Sequence, residues 1–117
     1  MDAAALDALA RDRVIDITTI GRTSGKPSRI EIWFHRVGDR YFITGLPGRR
    51  DWYANLEANP AFTFHLKHST TADLLAHARP ITDPDERRAI LTPVVGTRYN
   101  LEEWMLGSPL VEVTFDA

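Results

Sequence analysis

The chain has 117 residues, 44% of them apolar, a net charge of −2 and no cysteine. That length predicts a single domain with a real core, and the absence of cysteine excludes a disulfide framework and thiolate chemistry and suits a cytoplasmic protein. A near-neutral balance argues against nucleic acid as the main partner; positive charge is local, at Arg22, Lys26 and Arg29 and again at Arg49-Arg50, which suits a small anionic ligand.

Met1–Arg13 is alanine-rich and acidic, with Leu6 and Leu9 three apart, and predicts a short helix at about residues 3–12 that lays a small apolar stripe on the body. No cationic start followed by an apolar run marks a signal peptide, and no stretch has the length of a membrane span. Val14–Ile20 is β-branched and reads as the first strand.

The next ten residues, Ile20 to Arg29, hold two glycines, a proline, two serine or threonine hydroxyls between the glycines, and three cations. Glycine frees the backbone to turn and bare its N–H groups, so such a loop can hold a phosphate-like anion in a nest rimmed by charge. The simpler reading is a hairpin loop with solvated charges. A P-loop is rejected. Gly21 to Gly25-Lys26 is one residue short, Pro27 stands where the Mg²⁺-binding hydroxyl belongs, and the following segment alternates like a strand instead of opening a helix.

Arg29–Arg36 alternates with Ile30, Ile32 and Phe34 on one face and Glu31, Trp33 and His35 on the other. Gly38-Asp39 is a hairpin turn, so this strand and the next, Tyr41–Leu46, should be antiparallel neighbours. Pro47 and Gly48 break the pattern before a helix at Asp51–Ala58, for which Asp51 is the expected N-cap and Asn59-Pro60 the stop. Gly48, Arg49 and Arg50 then sit at a helix N-terminus, which is either a second natural anion site or a solvated basic turn.

Ala61–Lys67 points Phe62, Phe64 and Leu66 inward and Thr63, His65 and Lys67 outward, and Thr71–Arg79 is a fifth strand. Asp83-Pro84-Asp85-Glu86 starts a helix, with Asp83 as N-cap and Glu86 closing a capping box, running to about Leu91 and ending near Pro93. Tyr99–Met105 reads as another helical turn and Leu110–Phe115 as the last strand. Six strands with short helices favour a mostly antiparallel sheet closed into a small barrel.

No self-contained reactive centre emerges. His65 and His68 are three apart, which on a strand turns them to opposite faces; no third ligand has metal-like spacing, and His35 and His77 stand alone. There is no G-x-S-x-G elbow. Such a chain, if an enzyme, relies on a bound cofactor that it positions. Trp33, Trp52, Tyr53, Tyr99 and Trp104 are candidates to line a planar pocket, or ordinary core and surface aromatics.

Two stretches carry a family resemblance. Thr19-Ile20-Gly21-Arg22-Thr23-Ser24-Gly25-Lys26-Pro27 resembles the T-x-G-R-x-[ST]-G-x-P signature of deazaflavin-dependent nitroreductases, and Trp52-Tyr53-Ala54-Asn55-Leu56-Glu57-Ala58-Asn59-Pro60 resembles that family's W-Y-x-N-L-x-A-N-P. Their order, their separation and the later Asp85-Glu86-Arg87-Arg88 agree as well. The resemblance implies one split β-barrel domain of the FMN-binding kind that binds coenzyme F-420 and passes hydride to a small nitroaromatic, quinone or enone acceptor. It implies that Arg22, Thr23, Ser24, Gly25 and Lys26 hold the cofactor's phosphate and acidic tail. Ser28, Arg29, Ile30, Glu31 and Ile32, together with Thr44, Gly45, Leu46, Pro47 and Gly48, would flank its ring, and Asp51, Trp52 and Tyr53 would approach it. Tyr99 falls near a tyrosine-rich region that faces substrate in some members.

The chain departs from the pattern at four places. Ser28 follows the proline where an arginine is usual, Glu31-Ile32 replaces Pro-Leu, Pro47 replaces a lysine, and the loop before Asp51 is shorter, with Arg49 or Arg50 nearby to supply charge. FMN is the alternative cofactor, and a non-catalytic flavin- or lipid-binding protein the alternative role. A homodimer fits, because small split barrels often build their pocket between subunits.

Overall fold

Alternating apolar residues build six strands, and glycine and proline turns separate them. The computed structural model describes residues 1–116. The order is α1 (Ala3–Arg11), β1 (Val14–Ile20), β2 (Pro27–Val37), β3 (Arg40–Thr44), α2 (Asp51–Ala58), β4 (Ala61–Leu66), β5 (Ala72–Pro80), α3 (Pro84–Val95), α4 (Leu101–Gly107) and β6 (Leu110–Phe115). Every pairing is antiparallel, in the order β1-β2-β3-β6-β5-β4, and β4 returns to β1 to close the barrel. The six-stranded, mostly β architecture read from the sequence is therefore present, and closure leaves no open sheet edge.

The longest strand makes closure possible. Pro27–Trp33 of β2 pairs with β1, while Phe34–Val37 pairs with β3, so one strand serves two neighbours in succession. Where it changes partner, Phe34 turns fully inward and meets Phe64 edge-on at 5.2 Å. Phe64 in turn meets Phe115 at 5.1 Å, and Phe115 meets Tyr41 at 5.6 Å. Edge-to-face rings at such spacings add to the area they bury.

Two separate apolar clusters result. The first fills the barrel and is extended by Ala5, Ala8 and Leu9 of α1 and by Trp52 and Leu56 of α2. The second lies where α3 and α4 cover Phe42, Ile81 and Leu110, with Ile90, Leu91, Val95 and Trp104 from the helices. An ion network ties the second unit to the sheet. Arg79 bonds Glu86 and Glu112, and Arg40 reaches the same two carboxylates.

Several local expectations are corrected. Asp51 is the first residue of α2, not its cap; Arg50 holds the cap position and makes no side-chain capping bond. Asp83 does cap α3 and Pro84 opens it, but Glu86 does not close the box, because its carboxylate is drawn to Arg79 and Arg40. That helix runs through Pro93 to Val95, and the residue of the next capping turn, Asn100, starts α4 at Leu101, beyond Tyr99. β3 ends at Thr44, short of Leu46. His65 is not a surface group: it is buried between Thr18 Oγ1 and Asp73 Oδ1, 2.7 Å from each, because two polar neighbours satisfy its ring.

Phe64 touches both ring partners at the barrel's centre, so Phe64→Ala should cost about 3–5 kcal/mol in a urea unfolding series. The arginine network predicts an acid-side loss of stability. Hydrogen bonds from Arg40 hold Glu112 below the ordinary carboxylate value of 4.5, and those from Arg79 do the same for Glu86. Depressed folded values mean that the contribution is complete above pH 4.5 and is lost as the pH falls below it. Glu112→Gln should flatten that part of the stability profile.

Candidate functional site

The glycine-bearing loop is shaped by its own main chain. Gly21 N donates to Lys26 O and Gly25 N to Gly21 O, with Gly25 at φ 69°, a conformation glycine adopts without penalty. Lys26 N donates to Ser24 Oγ. Among the described residues, the N–H groups of Thr23 and Ser24 are left without an acceptor, so the expected nest narrows to two donors.

Arg22 fastens this loop to α2. Its main-chain N–H and its Nη1 both donate to Oδ1 of Asn55, at 3.1 and 3.0 Å, and Asn55 Nδ2 donates to Thr19 Oγ1 at 3.2 Å. Arg22 Nη2 also reaches Asp51 Oδ1 at 3.2 Å. Asn55 is buried, so its amide satisfies loop, strand and helix together. The two anion sites read separately from the sequence are thus one region, sharing Arg22.

Beside it opens a cavity of about 1380 Å³ between α2 and the α3–α4 unit. Its lining combines the cations Arg22, Arg49 and Arg50 with the apolar Ile81, Met105, Leu106 and Pro109 and the carboxylates of Asp51, Glu57 and Glu102. Of the segment 45–50, Gly48, Arg49 and Arg50 line it. Gly48, at φ 131°, donates its N–H to Gly107 O at 3.0 Å, which pins this segment to the end of α4. Arg50 donates only to the carbonyls of Arg49 and Leu46, and no carboxylate pairs with Arg49, Arg50 or Lys26 among the described residues. Cations without a carboxylate partner next to the N-terminus of α2 favour a negatively charged ligand.

Tyr53 and Arg87 also line the cavity. Burial pushes the Tyr53 phenol up, Glu57 adds to the effect and Arg87 opposes it. Arg87 donates to four main-chain carbonyls: Nε to Met105, Nη1 to Ile81, and Nη2 to Trp104 and Ser108. Burial draws its value down, but guanidinium remains a cation at any working pH.

Of the residues expected at the site, Arg22, Gly48, Asp51 and Tyr53 line this cavity. Thr23, Ser24, Gly25 and Lys26 lie on the exposed adjoining loop, and Ser28 is exposed at the start of β2. Ile30 and Ile32 pack against the barrel core, whereas Arg29 bonds Asp16 and Glu31 bonds Lys67. Thr44 is buried and donates to Pro109 O, followed by Gly45, Leu46 and Pro47 in the segment described above. Trp52 and Trp104 are core residues, Trp33 is exposed, and Tyr99 packs on Trp104 at 5.1 Å, outside the cavity lining. Glu57, Arg87, Met105 and Ser108 line the cavity without having been expected there. Arg87 lies inside the matched Asp85–Arg88 segment, but no local signal says where its side chain goes. No group of three metal-ligating side chains occurs among the described residues, and no described helix is long and apolar enough to cross a membrane.

Known proteins agree with this architecture. A family model described as "F420H(2)-dependent quinone reductase" matches residues 4–102. Among solved structures, a Listeria innocua protein provisionally assigned as a pyridoxamine 5′-phosphate oxidase is similar at TM-score 0.76 and 12% identity, over 97% of this chain and 91% of that one. A conserved protein from Mycobacterium tuberculosis gives 0.72 and 17%, over 100% and 82%. A structure named as an F420 reductase gives 0.66 and 17%, over 95% and 92%. At these identities the likeness is one of fold.

The amide of Asn55 is the testable element here. Asn55→Ala leaves a buried N–H and guanidinium contact unmet and should cost about 1–3 kcal/mol in urea unfolding. Arg22→Ala, whose main-chain bond to Asn55 survives, should cost clearly less.

Proposed function

Since the chain belongs to the F420H(2)-dependent quinone reductase family, we propose that it carries reducing equivalents from reduced coenzyme F-420 to a small planar acceptor, a quinone before a nitroaromatic or an enone. It is an F-420-dependent oxidoreductase by family. The acceptor, the residues that bind and the cytoplasmic location that its lack of cysteine suits are our reading.

One observation carries the reading: a single cavity is lined both by arginines without a carboxylate partner, Arg49 and Arg50, and by apolar side chains. F-420 has an acidic tail and a flat ring, and the residues present fit both. Arg22, Arg49 and Arg50, with Lys26 on the adjoining loop, would hold phosphate and carboxylates by charge-assisted bonds. Tyr53 and the α4 side would face the ring and the acceptor. Glu31, the departure that would set a carboxylate against an anionic cofactor, bonds Lys67 instead and does not line the cavity.

When bound, the cofactor supplies hydride. The protein's own part is positioning: Asn55 fixes Arg22, Gly48 ties the cavity edge to α4, and Met105 and the exposed Leu106 offer apolar contact to the acceptor. Holding two reactants in a near-attack arrangement supplies much of the rate without an acid–base residue.

Titration of the purified protein with F-420 and with FMN, followed by tryptophan fluorescence, tests this. Saturable micromolar binding of F-420, weakened roughly tenfold or more in Arg22→Ala, is expected. FMN binding alone, or an unchanged F-420 affinity in Arg22→Ala, would overturn it.

A further inference from the structure

The cavity lining carries polar groups that the proposed grip of Arg22, Arg49 and Arg50 on the cofactor does not use. Arg87 is a cation spent wholly on main-chain carbonyls, with no carboxylate in ion-pair range among the described residues. Tyr53 presents a hydroxyl with no hydrogen-bond partner among them. Both residues are half-buried, and a free hydroxyl that lines a cavity with a cation lacking a carboxylate partner is placed to donate to a ligand oxygen there. The two do not surround a metal, since no cluster of metal-ligating side chains occurs among the described residues.

We propose that Tyr53 Oη and the Arg87 charge form the subsite for the oxygen of the electron acceptor, Tyr53 donating to it and Arg87 acting through space. This rests on the reductase reading and deepens it by naming residues for the acceptor side. The chemistry matches what such a site does best. A quinone arrives neutral. It takes up hydride, two electrons and a proton, from the reduced deazaflavin, which is oxidised and releases its remaining proton to solvent. One quinone oxygen then carries a phenolate charge until it takes a proton from water and becomes hydroquinone. A cation partly desolvated and held by four bonds reorganises little as that charge appears. Glu57 and Glu102 also line the cavity and act against it, Glu102 being paired with Arg88, but no carboxylate is within ion-pair range of Arg87 among the described residues. Tyr53 is a catalytic residue in this assignment, because it touches the reacting oxygen; Arg87 acts through the field.

A phenol that changes colour on ionisation tests the subsite without turnover. 4-Nitrophenol is titrated from acid to alkaline pH with the cofactor-free protein, and its bound ionisation is read from the visible absorbance. In the wild type the bound phenol should ionise about one unit lower than free in solution. Tyr53→Phe should weaken phenolate binding at least about fivefold without moving the thermal midpoint. Arg87→Gln should abolish the downward shift, and Arg87→Lys, which keeps the charge, should retain about half of it. If Arg87→Gln does not fold, Tyr53→Phe and Arg87→Lys decide. An unshifted ionisation, equal affinity in Tyr53→Phe, or a shift lost in Arg22→Ala and kept in Arg87→Gln, which would put the probe at Arg22, each overturns the proposal. A parallel F-420 titration separates the two readings. F-420 binding with no phenol shift sinks the subsite alone. A Tyr53-dependent shift without F-420 binding sinks the cofactor reading and leaves the subsite standing.

Discussion

The buried amide of Asn55 joins three elements that sequence order keeps apart. Its oxygen takes two donors from Arg22 and its nitrogen gives one to Thr19, so the glycine-bearing loop, β1 and α2 share one set of coordinates. A carboxamide is suited to the task because it offers donor and acceptor at once and carries no charge to desolvate. Arg22 already meets one carboxylate, Asp51, and an aspartate at 55 would set a second against it, leaving the positive charge of the region to Arg49 and Arg50.

The barrel makes that arrangement rigid. β2 changes partner midway and carries Phe34 into the centre, where Phe64 and Phe115 close the core. α2 is held by Trp52 and Leu56 in the same core, so its first turn, with the arginines before it, cannot drift relative to the loop. The opposite cavity wall has a different foundation. It comes from α3 and α4, packed on Phe42, Ile81 and Leu110, and Arg87 closes it by gathering carbonyls from the end of α4 and the approach to α3.

Much of this was legible in the residues. Strand alternation marked β1, β2, β4 and β6 to within a residue or two, whereas the two cationic segments read as separate anion sites and meet at Arg22 only in the fold. What escaped was the destination of long polar side chains. Glu86 has the right spacing for a capping box, yet two arginines from neighbouring strands outcompete one N–H. His65 sits at an outward strand position and is still buried, because Asp73 of β5 and Thr18 of β1 cover it from both sides. Arg87 gives no local hint at all, since its four acceptors lie on segments that only the tertiary fold brings near. Periodicity reports faces; it does not report partners.

The two walls of the cavity belong to two apolar clusters, one inside the barrel and one under α3 and α4. Residues that share no packing partner contribute to free energy almost independently. A lineage could therefore remodel Met105 or Leu106 to accept a differently shaped molecule while the grip of Arg22 on the other side stayed as it was. The seam between the clusters separates what the protein holds permanently from what it can learn to recognise.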